Sequence, residues 1–233
     1  MKFNQTIDFC FRFLYNYFMK DSKTRLLEVA LKLFAVKGLD GVSTREIAQK
    51  AQVNISAITY YFGGKAELYS AVLEYIKVTL QADAAAIIKE IDYGKKLKNM
   101  SAEEARIIFQ RVYEEILNAA FKPKNVYMSM ILAKESVNPG KAAIKVFTAK
   151  TTPLTSEIAK LISKITGLSQ NSAKTSIITE TLLNKAMVFG RDKTRILFNL
   201  GIKDYDEKTI SLIKQIVLKQ ADLILNYYVK ENK

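Results

Sequence analysis

The sequence predicts an all-α fold, with a short three-helix domain at the N-terminal end and a larger helical bundle after it. Three observations carry this. Apolar residues recur at three- and four-residue spacing, and nothing alternates at period two for long. Only three prolines and nine glycines interrupt the 233 residues, which leaves long segments without a breaker. Ser, Thr, Asn or Asp stands ahead of most apolar runs, where it can accept from the free N–H groups of a starting helix.

In chain order, the first helix is expected over about Lys23–Lys37, capped by Ser22 and stopped by Gly38. Leu26, Leu27, Ala30, Leu33 and Phe34 form its inward stripe. Ser43 and Glu46 have the S-x-x-E spacing of a capping box and open the second helix, with Ile47 and Ala48 facing inward. Asn54 is the expected N-cap of a third helix, which "FGG" ends near Phe62. Lys65 opens a long fourth helix reaching to about Asp92. Ser101 and Glu104 form a second capping box, and the helix they open stops before Pro123. A helix over about Asn125–Ser136 halts at "NPG", and another follows Pro139. Thr152-Pro153 reads as an N-cap followed by proline at the first helical position, with Gly167 as the stop. Ser169 is expected to cap a long helix to Phe189 that Gly190 ends, and Asp206 to cap the last helix, to about Tyr228. No internal repeat or low-complexity tract is visible.

Three short helices, the last two joined by the tight link "AQV", make a helix-turn-helix. On the third, Val53, Ile58 and Phe62 are the expected anchors. Ile55, Ser56, Thr59 and Tyr61 face the other way, with Ala57 and Tyr60 at the edges. That outward face is small or aromatic and carries no charge. Small side chains let a helix enter a DNA major groove, hydroxyls exchange hydrogen bonds with base edges or phosphates, and methyl groups meet thymine methyls. The flanks suit phosphates. Ser43 and Thr44 stand where helix N–H groups and dipole attract an anion, Arg45 reaches a phosphate or a guanine edge, and Lys65 marks a second such helix start. Asn54 completes the candidate DNA-binding set. The competing reading is a structural three-helix unit with a solvated face.

Composition narrows the alternatives. The net charge of +13 suits a polyanionic partner or simply a lysine-rich surface. It does not single out either end, since residues 1–80 carry 11 basic and 7 acidic groups and the remainder 25 and 16. There is no histidine and one cysteine, Cys10, which removes His-based catalysis, His-based metal sites and internal disulfides. No enzyme activity, cofactor or metal is expected, and a reducing cytoplasm fits. The oily segment "FNQTIDFCFRFLYNYFMK" is too short to span a bilayer and lacks a signal-peptide cleavage site. It reads as an extra helix, a membrane-surface helix, or an upstream extension with Met19 as the start, the last being preferred. A membrane-surface protein using residues 3–18 is therefore the alternative function, without stable membrane insertion.

The run "TRLLEVALKLFAVKGLDGVSTREIAQKAQVNISAITYYFGGKAELYSAVLEY", Thr24 to Tyr75, closely resembles the N-terminal domain of TetR-family transcriptional regulators. "VNISAITYYFGGKAELY" looks most like the CecR-type branch, to whose second domain "ESVNPG" and "LFNLGIKDYDEKTI" are also similar. Three positions depart from the pattern: Gln52 stands where a turn glycine is usual, Gly64 where a serine cap is usual, and Thr59 where a larger polar or aromatic residue is usual. The resemblance implies a homodimeric repressor of a pseudo-palindromic double-stranded DNA operator, released by a small-molecule effector of unknown identity. It implies a DNA-binding domain at 22–67 and a ligand-binding and dimerisation domain at 68–233, after an extension at 1–21. Helices four to seven would surround the pocket. Phe109, Tyr113, Tyr127, Met130, Phe147 and Met187 are its candidates, because aromatic and methionine side chains line adaptable pockets; plain core packing is the competing reading of each. "TSIITETLLNKAMVFG" and "IKQIVLKQADLILNYYV" are apolar over more than one stripe, which suits packing against a dimer mate.

Overall fold

A computed structural model describes residues 22–91, 100–148 and 153–231. The segment 3–18, Cys10, Met19 and the Thr152 cap lie outside the described residues. The described residues form helices joined by turns, with no strand. None of their helices is long and apolar enough to cross a membrane. The described residues divide into two compact units, one of residues 22–77 with 138–146, the other of residues 78–91, 100–137, 147–148 and 153–231.

In the first unit, α1 covers 22–37 and buries Leu26, Ala30, Leu33 and Phe34 of its expected stripe, while Leu27 is half-buried. Gly38 ends it in the left-handed conformation, its N–H donating to the Phe34 carbonyl. Then follow α2 (Thr44–Ala51), α3 (Ser56–Phe62) and the start of α4 (Lys65–Ile91). The Ser43 hydroxyl accepts from Glu46 N–H at 3.1 Å. Glu46 does not complete the expected box. Its carboxylate accepts instead from Lys37 Nζ at 2.7 Å, tying α2 to the end of α1.

The second unit holds the rest of α4, then α5 (Ala102–Ala120), α6 (Pro123–Glu135), α8 (Pro153–Thr166), α9 (Ala173–Arg191), α10 (Lys193–Leu200) and α11 (Glu207–Glu231); α7 (Lys141–Thr148) lies between α6 and α8 in the chain, its residues to Val146 counted with the first unit. The capping box at Ser101 is complete: its hydroxyl accepts from Glu104 N–H, and the Glu104 carboxylate accepts from Ser101 N–H at 2.8 Å. The core is built from α5, α8, α9 and α11 around Phe109, Tyr113, Leu161, Leu182 and Val217. Arg106 of α5 pairs with Asp222 of α11 at its edge.

Three further expectations need correction. The cap of α9 is Ser172, whose hydroxyl accepts from Thr175 N–H at 3.2 Å, while Ser169 contributes only its carbonyl to the Thr175 hydroxyl. Gly190 does not end α9 but lies inside it. A Cβ there would sit 2.1 Å from the Ala120 carbonyl oxygen, so glycine is required by close approach of α5. Helix α6 starts at Pro123, two residues earlier than expected, because proline at the first position loses no helical hydrogen bond. Asn125 thereby turns back, donating from Nδ2 to the Ala119 carbonyl at 3.0 Å.

Candidate nucleic-acid interface

The link between α2 and α3 is set by Gln52, which takes φ +54°, ψ +47°, the left-handed conformation that the usual glycine adopts freely. From there its own N–H reaches the Gln49 carbonyl, and Val53 N–H reaches that of Ala48. Asn54 then starts α3, but as a side-chain cap one residue ahead of the formal position. Its Oδ1 accepts from Ser56 N–H at 2.9 Å and from the Ser56 hydroxyl at 2.8 Å, while Ile55 is already helical.

Ile58 is fully buried and fixes the rotation of α3. Ser56 and Thr59 are exposed, with Ile55 at 49% and Tyr60 at 71% exposure. Ala57 is half-buried. The order of the tyrosines differs from expectation. Tyr60 is the outermost, and Tyr61 is half-buried in edge contact with Tyr60 and Phe62. The reason is helical geometry: Tyr61 is three residues after Ile58, on the side that Ile58 buries. Lys23 lies 5.8 Å from the Phe62 ring centre, closing that side.

The flanks carry polar and cationic groups. Ser43 and Arg45 are exposed and Thr44 half-buried at the start of α2. Lys65 is half-buried at the start of α4, after Gly63 and Gly64. Gly64 has φ +156°, and a Cβ there would come within 2.8 Å of Glu67 Oε2. A side chain here would be strained by the positive φ, and the Glu67 carboxylate would have to swing aside. Within Ile55–Phe62 there is no ionisable acid or base except the two phenols. The result is an uncharged, hydroxyl-bearing ridge with a helix start and a basic residue on either flank, which fits base edges between two phosphate rows.

The second unit contains a half-enclosed apolar cavity of about 230 Å³. Leu80, Asp83, Ala84 and Ile87 of α4 form one wall, and Ile116 and Ala119 of α5 another. Asn125, Met128, Ser129 and Leu132 of α6 face them, with Leu154 and Met187 closing the far side. Of the six candidates from sequence, Met187 alone lines it. Phe109 and Tyr113 are stacked in the core with ring centres 5.3 Å apart, and the Tyr113 hydroxyl donates to the Leu182 carbonyl at 2.7 Å. Burial pushes the Tyr113 pKa well above its ordinary value. Tyr127 and Met130 are half-buried on α6 but outside the lining, and Phe147 on α7 is partly exposed. The residues that line this cavity recur at i, i+4 spacing: Asn125 with Ser129, Met128 with Leu132, Leu80 with Ala84.

A separate groove runs between α9 and α11, bordered by Ile177, Thr181, Leu223, Ile224 and Tyr227. Ile177, Leu223 and Tyr227 are each about 60% exposed, a broad apolar strip on two adjacent helices.

Comparison with known proteins agrees with both halves. Residues 26–72 match the model of bacterial regulatory proteins of the tetR family, and residues 106–226 match that of the C-terminal domain of the HTH-type transcriptional dual regulator CecR. The chain is 29% identical over 206 residues to CecR of Shigella flexneri, covering 88% of this chain and 92% of that one. It is 32% identical over 82 residues to the HTH-type transcriptional repressor NicS of Pseudomonas putida, covering 35% of this chain and 39% of that one. Among solved structures, the TetR family transcriptional regulator PfmR of Thermus thermophilus shares the fold, with TM-score 0.55 at 17% identity over 86% of this chain and 94% of that one.

Proposed function

The chain belongs to the TetR family of transcriptional regulators, with a CecR-type second domain, and from that premise we propose that it is a homodimeric repressor whose hold on a pseudo-palindromic operator is released by a small molecule. The observation that carries the reading is the α3 ridge: exposed Ser56, Thr59 and Tyr60 on an uncharged face, bracketed by the α2 start at Ser43–Arg45 and by Lys65. The base-reading roles go to Ser56, Thr59 and Ile55. The phosphate-positioning roles go to Ser43, Thr44, Lys65 and Tyr60, with Asn54 and Tyr61 holding α3 in place.

The α9–α11 strip supports self-association, because two such strips facing across a two-fold axis would cover their apolar side chains. A symmetric dimer sets the recognition helices about 34–36 Å apart, one turn of duplex. Release follows from linkage. A molecule that binds better to the form with lower operator affinity must lower that affinity by the same factor. Helix α4 runs from the first unit into the second and contributes a wall of the cavity, so it is the element through which the two sites would be coupled. CecR of Shigella flexneri is a dual regulator and NicS of Pseudomonas putida a repressor, which supports a regulator able to lower transcription.

The test is selection of duplex DNA from a random pool by the full chain at moderate ionic strength. The expected product is a pair of inverted half-sites with centres one helical turn apart, and transcription from a promoter carrying it falls when the protein is present. A pool that shows no enrichment would falsify the reading.

A further inference from the structure

We infer that the cavity among α4, α5 and α6 takes a small apolar cation, a protonated amine carried on one ring or a compact bicycle. Its binding is independent of DNA; its role as effector rests on the reading above. Size sets the first limit. An apolar cavity of about 150 Å³ holds benzene, and drug-sized ligands occupy upwards of about 300 Å³. At about 230 Å³ this cavity fits a ring with a short side chain. Leu80, Ile87, Ile116, Met128, Leu132 and Met187 supply the apolar walls, and methionine sulfur packs well on ring edges.

Hydrogen-bond accounting sets the second limit. Three polar side chains reach the lining: Asp83, Asn125 and Ser129. The Asn125 amide nitrogen already donates to the Ala119 carbonyl, and the Ser129 hydroxyl donates to the Val126 carbonyl at 2.8 Å. The Ser129 proton and one of the two Asn125 N–H groups are engaged, so the two side chains offer mainly acceptor oxygen, with one Asn125 N–H left over. Asp83 is an exposed residue at the open side of the cavity; it is acceptor-only when ionised and makes no ion pair among the described residues. Acceptors therefore outnumber donors along the lining, and the carboxylate favours an occupant that brings donors and a positive charge. The charge stands out in a chain of net +13, whose surface otherwise attracts anions. The opposing influence is the start of α6 at Pro123, whose dipole favours an anion near Asn125.

Three probes of matched shape separate these influences: 2-phenylethylammonium, neutral propylbenzene and anionic 3-phenylpropanoate, titrated calorimetrically into the full chain. The cation is expected to bind at least about tenfold tighter than either isostere, the scale of one charged hydrogen bond at a partly open rim. Asp83→Asn should remove that advantage and leave propylbenzene binding unchanged. Ala84→Leu should abolish binding of all three by filling the cavity; Leu132→Trp does the same from the half-exposed side should Ala84→Leu fail to fold. Equal or tighter binding of the anion, no binding of any probe at millimolar concentration, or indifference of the cation to Asp83→Asn overturns the inference. Operator affinity is measured in parallel. Binding with the expected preference but with operator affinity unchanged supports the cavity assignment and sinks the release mechanism instead.

Discussion

The α3 ridge and the α9–α11 strip both leave large apolar side chains in solvent, but differ in what lies between those side chains. On α3, Ile55 and Tyr60 are interleaved with the hydroxyls of Ser56 and Thr59, so donors and acceptors recur within each turn. On α9 and α11, Ile177, Ile224, Leu223 and Tyr227 border a groove in which Thr181 is the smallest polar interruption. A surface that meets base edges needs partners for their polar groups. A surface that meets its own copy needs area and few polar groups to desolvate. Exposure alone does not distinguish the two; the spacing of hydroxyls among the apolar groups does.

The sharpest way to break this comparison is Leu223→Glu. Two carboxylates buried per dimer should weaken self-association by about 4 kcal/mol or more, roughly a thousandfold. Sedimentation should show monomer at micromolar concentration, with operator affinity falling in step. A dimer that survives would place self-association elsewhere. Next, Gly190→Val asks whether α9 must lie flush on α5 to present its strip. With the Ala120 carbonyl 2.1 Å from the new Cβ, a loss of about 3 kcal/mol in urea denaturation is expected.

On α3 the roles should separate. Thr59→Ala should change base preference by about 1–3 kcal/mol at one position of the half-site, read by competition among operator variants. Lys65→Ala should weaken binding to every duplex alike and flatten the salt slope by about 0.9 per site. The smallest effect sharpens the turn that orients α3. Gln52→Gly should stabilise the chain by about 0.5–1 kcal/mol, because glycine takes the left-handed conformation without a Cβ penalty. An unchanged or lower melting temperature would count against strain at Gln52.

Much of this was legible in the sequence because it is local. Ser101 with Glu104, Asp206 with Thr209 and the stop at Gly38 depend on residues within four positions. The α3 face is legible because Ile58 anchors a seven-residue helix; the Tyr60–Tyr61 order differs by one step of rotation, and Val53 and Phe62 are half-buried rather than full anchors. The failures are non-local or ambiguous. "SQNSA" holds two serines three residues apart, and only the folded chain selects Ser172. Gly190 looks like a helix stop because a glycine required by a neighbouring carbonyl has the same letter as one required by a turn. Helix α10 has no buried residue and exposes Phe198 at 85%, so it carries no inward stripe to read. Aromatic character does not mark the cavity; helical spacing does. Phe109 and Tyr113 fill the core, while Met128 and Leu132, close in sequence to Tyr127 and Met130, form the wall.

Two thioethers in that wall make the cavity chemically legible in another way. Met128 is fully buried, whereas Met187 is half-buried. Peroxide should therefore convert Met187 first, placing a polar sulfoxide in an apolar wall. Any occupant would slow that conversion, so the mass gain at Met187 becomes a footprint of whatever fills the space, recorded without a label on either molecule.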